Sequence, residues 1–250
     1  MIKNTYQSKK NIIAGRNPII EALQNGQLID KILLIRNAGG DAIKEIEMLA
    51  QSLQVPIQRV PVEKLNSITN IQHQGIIAFK GGVRYYDLQQ VIDFVNDKGE
   101  VPLFLMLDGV TDVRNIGAIA RSALCCGAHA IIIPDKGVAP MNEEAMKTSA
   151  GALEQIMICR VSSLLKAVDD LHWNGIQVFS SEMKAAKKLS ELNLTLPCCI
   201  VMGNEEKGVQ QKLSLSADER FAIPMQGKFD SLNVSVAAGI ILYESIRQRQ

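Results

Sequence analysis

The chain has 250 residues, of which 47% are hydrophobic and 21% charged, with a formal net charge of +1. That balance fits one large or two modest globular domains and excludes extended disorder. It also excludes a globally basic nucleic-acid binder, so any contact with nucleic acid must rest on a local patch. Residues 1–96 carry eleven Lys and Arg against eight acids, whereas residues 97–250 carry sixteen against eighteen. Lys3, Lys9, Lys10 and Arg16 open the chain without an acid among the first sixteen residues, which suits either a solvated terminus or an RNA-facing arm.

In chain order, Asn17 to Gly26 reads as a short helix stopped by glycine, and Ile29 to Arg36 as a strand. Ala42 to Leu53 places Ile43, Ile46, Leu49 and Ala50 on one helical face. Val55 to Val60 (strand), Val62 to Ser67 (helix) and Gly75 to Gly81 (strand) complete a small α/β domain, residues 1–82. Residues 83–99 are expected to be a linker, with a helix at Asp87 to Val95. The remainder, 100–250, alternates. Strands are expected at PLFLMLDG, His129 to Pro134, Ile156 to Val161, Ile176 to Ser180, PCCIVMGN and ERFAIP. Helices are expected at Asn115 to Cys126, Asn142 to Thr148, Leu164 to Trp173 and Leu232 to Arg247. Such alternation predicts an α/β fold with a mostly parallel sheet covered on both faces.

Several chemistries find no support. Cys125, Cys126, Cys159, Cys198 and Cys199 lie in apolar text as two adjacent pairs and a single, and His73, His129 and His172 are widely spaced, so no metal site is expected. Buried thiols in a reducing compartment are the simpler reading. There is no GxGxxG, GxxxxGK[ST] or GxSxG, which disfavours a dinucleotide fold of the usual kind, a P-loop and a serine hydrolase. No apolar run reaches membrane-spanning length, and the polar start lacks a signal-peptide core, so no membrane contact and a cytoplasmic location are expected.

Sites in parallel α/β sheets lie at the carboxyl ends of strands. Three strands here run into polar or glycine-rich text: LDGVTDVRN, MGNEEKG and IPMQGKFDSLN. Asn115 reads as an N-cap for the helix that follows. Gly117 in its first turn costs roughly 1 kcal/mol against alanine, so it calls for a close neighbour, either a ligand or another helix. Arg121, on the same side by the i, i+4 rule, is a surface residue or a fork for phosphate or carboxylate. In FDSLNVS, Asp230, Ser231, Asn233 and Ser235 are more polar side chains than a helix cap needs. Residue chemistry thus gathers Asn115, Arg121, Asn204, Glu205, Ser231 and Asn233, with the substrate class open.

These segments resemble the motifs of the SpoU-type (TrmH) RNA 2'-O-ribose methyltransferases, closest to the branch acting on a 23S rRNA guanosine. The carriers are NIGAIARSA (Asn115 to Ala123), KTSAGAL (Lys147 to Leu153), IVMGNEEKG (Ile200 to Gly208) and IPMQGKFDSLNVSVAAGIILYE (Ile223 to Glu244). IAGRNPIIEAL (Ile13 to Leu23) and HQGIIAF (His73 to Phe79) resemble the L30e-like substrate-binding domain attached to that branch. Val113 stands where the common pattern has proline, and Glu206 where glycine is frequent.

The resemblance implies a SPOUT-type α/β catalytic domain with a C-terminal trefoil knot, an exception to the rule against threading, preceded by the L30e-like domain. It implies a homodimer, S-adenosylmethionine as cofactor, no metal, and RNA as partner, with 23S rRNA expected first. Carried over by motif, the catalytic residues are Asn115, Arg121, Glu205, Ser231 and Asn233. Met202, Gly203, Ile223 and Leu232 hold the cofactor, and Asp230 or Ser231 caps the last helix while Asn233 faces the pocket, with Val234, Ala237, Ala238 and Ile241 packed beneath. A tRNA substrate and a non-catalytic RNA-binding protein of the same fold are the alternatives.

Overall fold

The structure is a computed structural model that describes residues 12–204, 206–227 and 231–250. The chain divides into two compact units between Val83 and Arg84. In the first, the elements are β1 (Ile12–Ala14), α1 (Arg16–Gln24), β2 (Ile29–Ile35), α2 (Asp41–Ser52), β3 (Ile57–Val60), α3 (Val62–Ile68) and β4 (Ile76–Lys80). Their sheet order is β1-β4-β2-β3, with β4 antiparallel to both neighbours and β3 parallel to β2. Alternation along β2 explains the layering. Ile32 and Leu34 join Ile43, Ile46 and Ala50 of α2 and Ile19 and Leu23 of α1 in one core. Leu33, between them in sequence, points the other way, to Leu65 of α3.

The second unit continues with β5 (Tyr85–Tyr86), α4 (Leu88–Asp97), β6 (Leu103–Asp108), α5 (Val113–Cys125), β7 (Ala130–Pro134), α6 (Glu143–Ser149) and α7 (Ala152–Gln155). It ends with β8 (Met157–Val161), α8 (Leu164–Trp173), β9 (Gln177–Ser181), β10 (Lys187–Lys188), β11 (Cys198–Gly203), α9 (Gln211–Ser216), β12 (Glu219–Ala222) and α10 (Val234–Arg249). Among the described residues the sheet has eight strands in the order β10-β12-β9-β11-β6-β7-β8-β5, and every pairing is parallel. Helices α4 and α8 bury Leu88, Val91, Ile92, Val95, Val168 and Leu171 on one face, against Phe104, Met106, Ile132 and Val201. Helices α5, α7 and α10 cover the other. Each of these large side chains, fully buried, contributes about 1.5–3 kcal/mol.

Residues 83–99 are folded rather than a connecting linker. From Arg84 onward they belong to the second unit: β5 pairs with β8, and α4, capped by Asp87 on the Gln90 amide at 3.1 Å, contributes four buried side chains to the core. The sheet order also fixes where a site can lie. From β6 the chain moves outward through β7 to β8, while β11 lies on β6's other side. The strand order therefore reverses at the β6–β11 junction, where Asp108 and Gly203 are paired in register. Ligands in open parallel sheets bind at such a point, beyond the carboxyl ends.

Candidate functional site

A cavity of about 450 Å3 opens beyond the carboxyl ends of β9, β11 and β12. Met202, Gly203, Ile223 and Leu232 all line it, as do Asn204 and Ser231. Val209, Leu215, Met225, Val234 and Ala237 extend the apolar wall, and Glu182, Ser214 and Arg220 bring polar groups to it.

The wall is shaped by a tight reversal after β11. Asn204 and Gly208 form an isolated antiparallel bridge. The Gly208 amide donates to the Asn204 carbonyl at 2.8 Å, and Asn204 Oδ1 accepts from the amides of Glu206 and Lys207. Asn204 Nδ2 donates to the Gly109 carbonyl at 3.0 Å, tying the loop to the end of β6. Asp108, only 3% exposed, completes the tie: its two oxygens accept from the Gln210 amide and side chain, both at 2.7 Å. Asn204 therefore lies on the cavity but spends its side chain on the turn. Gly203 is obligatory here, since a Cβ would lie 2.0 Å from the Gly208 carbonyl carbon and 2.1 Å from the Val209 nitrogen. Glu205 lies outside the described residues.

Beside this wall, α5 and α10 meet. Asp112 caps α5, its carboxylate accepting from the Arg114 amide at 2.7 Å. Asn115 is thus not the cap expected from the sequence. It sits in the first turn of the helix, 8% exposed, and its Oδ1 accepts from Asn233 Nδ2 at 3.1 Å. Asn233 in turn caps α10, accepting from the Ser235 amide at 2.9 Å. This corrects the assignment of the cap to Asp230 or Ser231. Ser231 is exposed on the cavity rim, and Asp230 lies outside the described residues. One amide group does both jobs, because its oxygen faces the helix and its nitrogen faces Asn115. Of the residues expected beneath it, Val234, Ala238 and Ile241 are buried, while Ala237 reaches the cavity.

The structure decides between the two readings of Gly117. It is buried against α6, where a Cβ would meet Thr148 Cβ at 2.7 Å and the Ala145 carbonyl at 2.8 Å. The glycine serves helix packing, and KTSAGAL supplies the opposing surface, turning through Ala150 and Gly151 at positive φ. Arg121 lies on the exposed side of α5, outside the cavity lining, and makes no hydrogen bond or ion pair among the described residues.

Sequence reasoning missed Glu182, Ser214 and Arg220. Glu182 follows β9 directly, so the rule of strand carboxyl ends would have found it; its text, SSEMK, has no glycine to draw notice. No cysteine lines the cavity; burial, with Asp87 adding to it, pushes the Cys159 thiol up to about 12, and burial raises Cys199 well above its ordinary value. No cluster of three His, Cys, Asp or Glu side chains suited to a metal occurs among the described residues.

A parallel α/β unit with a cavity beyond the carboxyl ends of its strands belongs to a class of ligand-binding folds, and comparison gives the family. The model of the SpoU rRNA Methylase family matches residues 102–243, and that for RNA 2'-O ribose methyltransferase substrate binding matches residues 12–86. The chain belongs to the SpoU family of RNA 2'-O-ribose methyltransferases. It is 32% identical over 95% of both chains to YacO of Bacillus subtilis (strain 168), assigned to the TrmH family of tRNA/rRNA methyltransferases. Among solved structures it resembles an RNA 2'-O ribose methyltransferase (26% identity, TM-score 0.56, covering 95% of this chain and 88% of that one). The fold also matches the SpoU methyltransferase AviRb from Streptomyces viridochromogenes, solved with AdoMet (24% identity, TM-score 0.61, 95% and 90% coverage).

Proposed function

We propose that this protein transfers a methyl group from S-adenosylmethionine to the ribose 2'-hydroxyl of a guanosine in 23S ribosomal RNA. The observation that carries the reading is the cavity itself: the four residues expected to hold the cofactor all line it, beside the joined side chains of Asn115 and Asn233. The apolar wall of Met202, Ile223, Leu232 and Val209 suits a purine. Bound there, S-adenosylmethionine supplies an electrophilic methyl on a positively charged sulfur.

The chain's own residues supply alignment. Arg121 is always protonated, so it cannot take the hydroxyl proton; its planar fork positions a phosphate or ribose of the RNA. Asn115 and Asn233 hold the nucleotide so that the 2'-oxygen faces the methyl, which is where proximity lowers the barrier. Glu205 and Ser231 complete the set by motif.

The same reading makes the enzyme a cytoplasmic homodimer. Support comes from Val236, Ile240 and Tyr243 on α10, which are 52%, 39% and 66% exposed at i, i+4 and i+7 and form an apolar stripe. We also infer a trefoil knot in the last fifty residues, supported by β11 lying between β6 and β9 while α10 returns to pack on α5. Residues 1–82 act as an L30e-like RNA-binding domain; the substrate-binding family match over residues 12–86 supports this.

Methyl transfer from labelled S-adenosylmethionine to isolated rRNA and tRNA, with the product site mapped, tests the proposal. A mark on a 23S guanosine ribose is expected. A mark confined to tRNA overturns the ribosomal assignment, and RNA binding without cofactor binding overturns the enzyme reading.

A further inference from the structure

Among the described residues that line the cavity, Glu182 is the one acidic group, and the motifs do not use it; Lys184 and Arg220 are the basic groups outside the motifs. Glu182 follows β9, and its amide donates to the Phe221 carbonyl of β12 at 2.8 Å, which fixes its backbone. Its side chain is fixed as well. Oε1 accepts from Ser180 Oγ at 3.3 Å and from Ser214 Oγ. Both serines are buried, at 0% and 7% exposed, so their hydroxyls are committed to this carboxylate. Oε2 has no hydrogen-bond partner among the described residues, although Glu182 lines the cavity. Three interactions therefore preorganise a carboxylate with one oxygen open to a ligand.

Its position in the sheet limits what that ligand group can be. The sheet runs β12-β9-β11-β6, so the end of β9 lies two strand spacings from the end of β6, roughly 10 Å. The Asn115–Asn233 pair belongs to the helices beside β6, since α5 follows that strand and α10 packs on α5. A reacting methyl presented to that pair leaves Glu182 beside a remote part of the same ligand. The apolar wall accommodates a purine, so the polar group next to it is the vicinal diol of the attached ribose. With both serines on Oε1, Oε2 can accept from the hydroxyls of such a diol without competition from a described protein donor.

We propose that Glu182 is the cofactor-ribose acceptor, with Ser180 and Ser214 as its positioning residues. This rests on the cofactor reading given above. It predicts that the site recognises the nucleoside half of the ligand by charge-assisted hydrogen bonds at Oε2.

Calorimetry of the full-length protein with S-adenosylhomocysteine, 5'-methylthioadenosine and the 2',3'-dideoxy form of the latter tests it. Glu182→Gln should weaken the first two ligands equally, by about tenfold, as expected for exchanging a charged acceptor for a neutral one. The dideoxy ligand should bind the wild-type protein more weakly than its parent and be indifferent to E182Q, closing a double-mutant cycle. A loss confined to S-adenosylhomocysteine would move the contact to the amino-acid end and overturn the assignment. Wild-type affinity that ignores removal of the diol overturns it without any variant having to fold. If the wild-type protein binds none of the three ligands, the cofactor reading fails too; wild-type binding with an indifferent E182Q sinks this inference alone.

Discussion

Arg121 and Arg249 lie in different regions of the second unit, and the protein treats them oppositely. Arg249, at the end of α10, reaches across the amino ends of β6 and β11. Its guanidinium donates to the carbonyls of Leu194, Val101, Pro102 and Leu196 at 2.7 to 3.0 Å and approaches Cys198 Sγ at 3.5 Å. Arg121 has no partner among the described residues and faces outward from α5. An arginine whose donors are taken up by backbone carbonyls is a structural clasp. One left without a partner among the described residues, exposed on the face of a helix, is available to something the chain does not contain. Chemical type alone does not separate these roles; the supply of acceptors does.

The contrast is sharpest if each arginine is removed. Arg121→Ala should leave the melting temperature unchanged and slow single-turnover methyl transfer by at least about a hundredfold, the low end for losing a positioned electrostatic group. A rate within threefold of wild type would put Arg121 with the surface residues. Arg249→Ala should do the reverse. Stripping charge-assisted bonds from four carbonyls should cost about 2 kcal/mol, partly offset by water reaching them, and lower the melting temperature by roughly 4–8 °C. Transfer per folded molecule should stay at the wild-type rate.

Local pattern made much of this fold legible. Leu164 to Trp173 is the helix its apolar spacing predicts, and the strands at 103–108, 130–134 and 198–203 follow their apolar runs within a residue or two. What was not legible depends on contacts far apart in sequence. Asn233 became the cap of α10 because Asn115, 118 positions away, holds its amide nitrogen. Gly203 is required because the chain doubles back at Gly208, and Gly117 because α6 crosses α5. Strands β5 and β10, two residues each, carry too little pattern to be seen and exist because β8 and β12 offer an open edge. Arg249 fell just past the expected helix end at Arg247, so its clasp went unread.

Asn233 stands between the two arginines, since it has both a structural and a site role, and two substitutions separate them. Asn233→Ala removes the cap and the amide donor, and should cost about 1 kcal/mol of stability. Asn233→Ser keeps a good cap and loses only the donor to Asn115, so its melting temperature should return to near wild type. Transfer should slow by roughly tenfold in both variants, because neither can hold Asn115. Full activity in N233S would reduce Asn233 to a helix cap.

Arg247 offers the weakest case, an arginine whose partner is on its own helix face. Its Nε and Nη2 donate to the two oxygens of Glu244 at 2.7 and 2.6 Å, and Gln248 adds a third donor at 2.8 Å. These hydrogen bonds, with that from Arg247 leading, hold the Glu244 carboxyl down at about 2. Because the folded value lies below the unfolded one near 4.5, the ionised side chain stabilises the fold above that pH. The contribution fades as pH falls from about 4.5 through about 2 and is gone below that, where Glu244 is protonated in both states. Arg247 is 59% exposed, so solvent screens the pair and its worth is small. Glu244→Gln should therefore lower the melting temperature by under about 2 °C at pH 7, and the gap to wild type should close on acidification. Parallel thermal melts of both proteins from pH 7 to pH 2.5 measure it. A gap that widened toward low pH would mean that Glu244 stabilises the fold when protonated, which its two arginine bonds forbid.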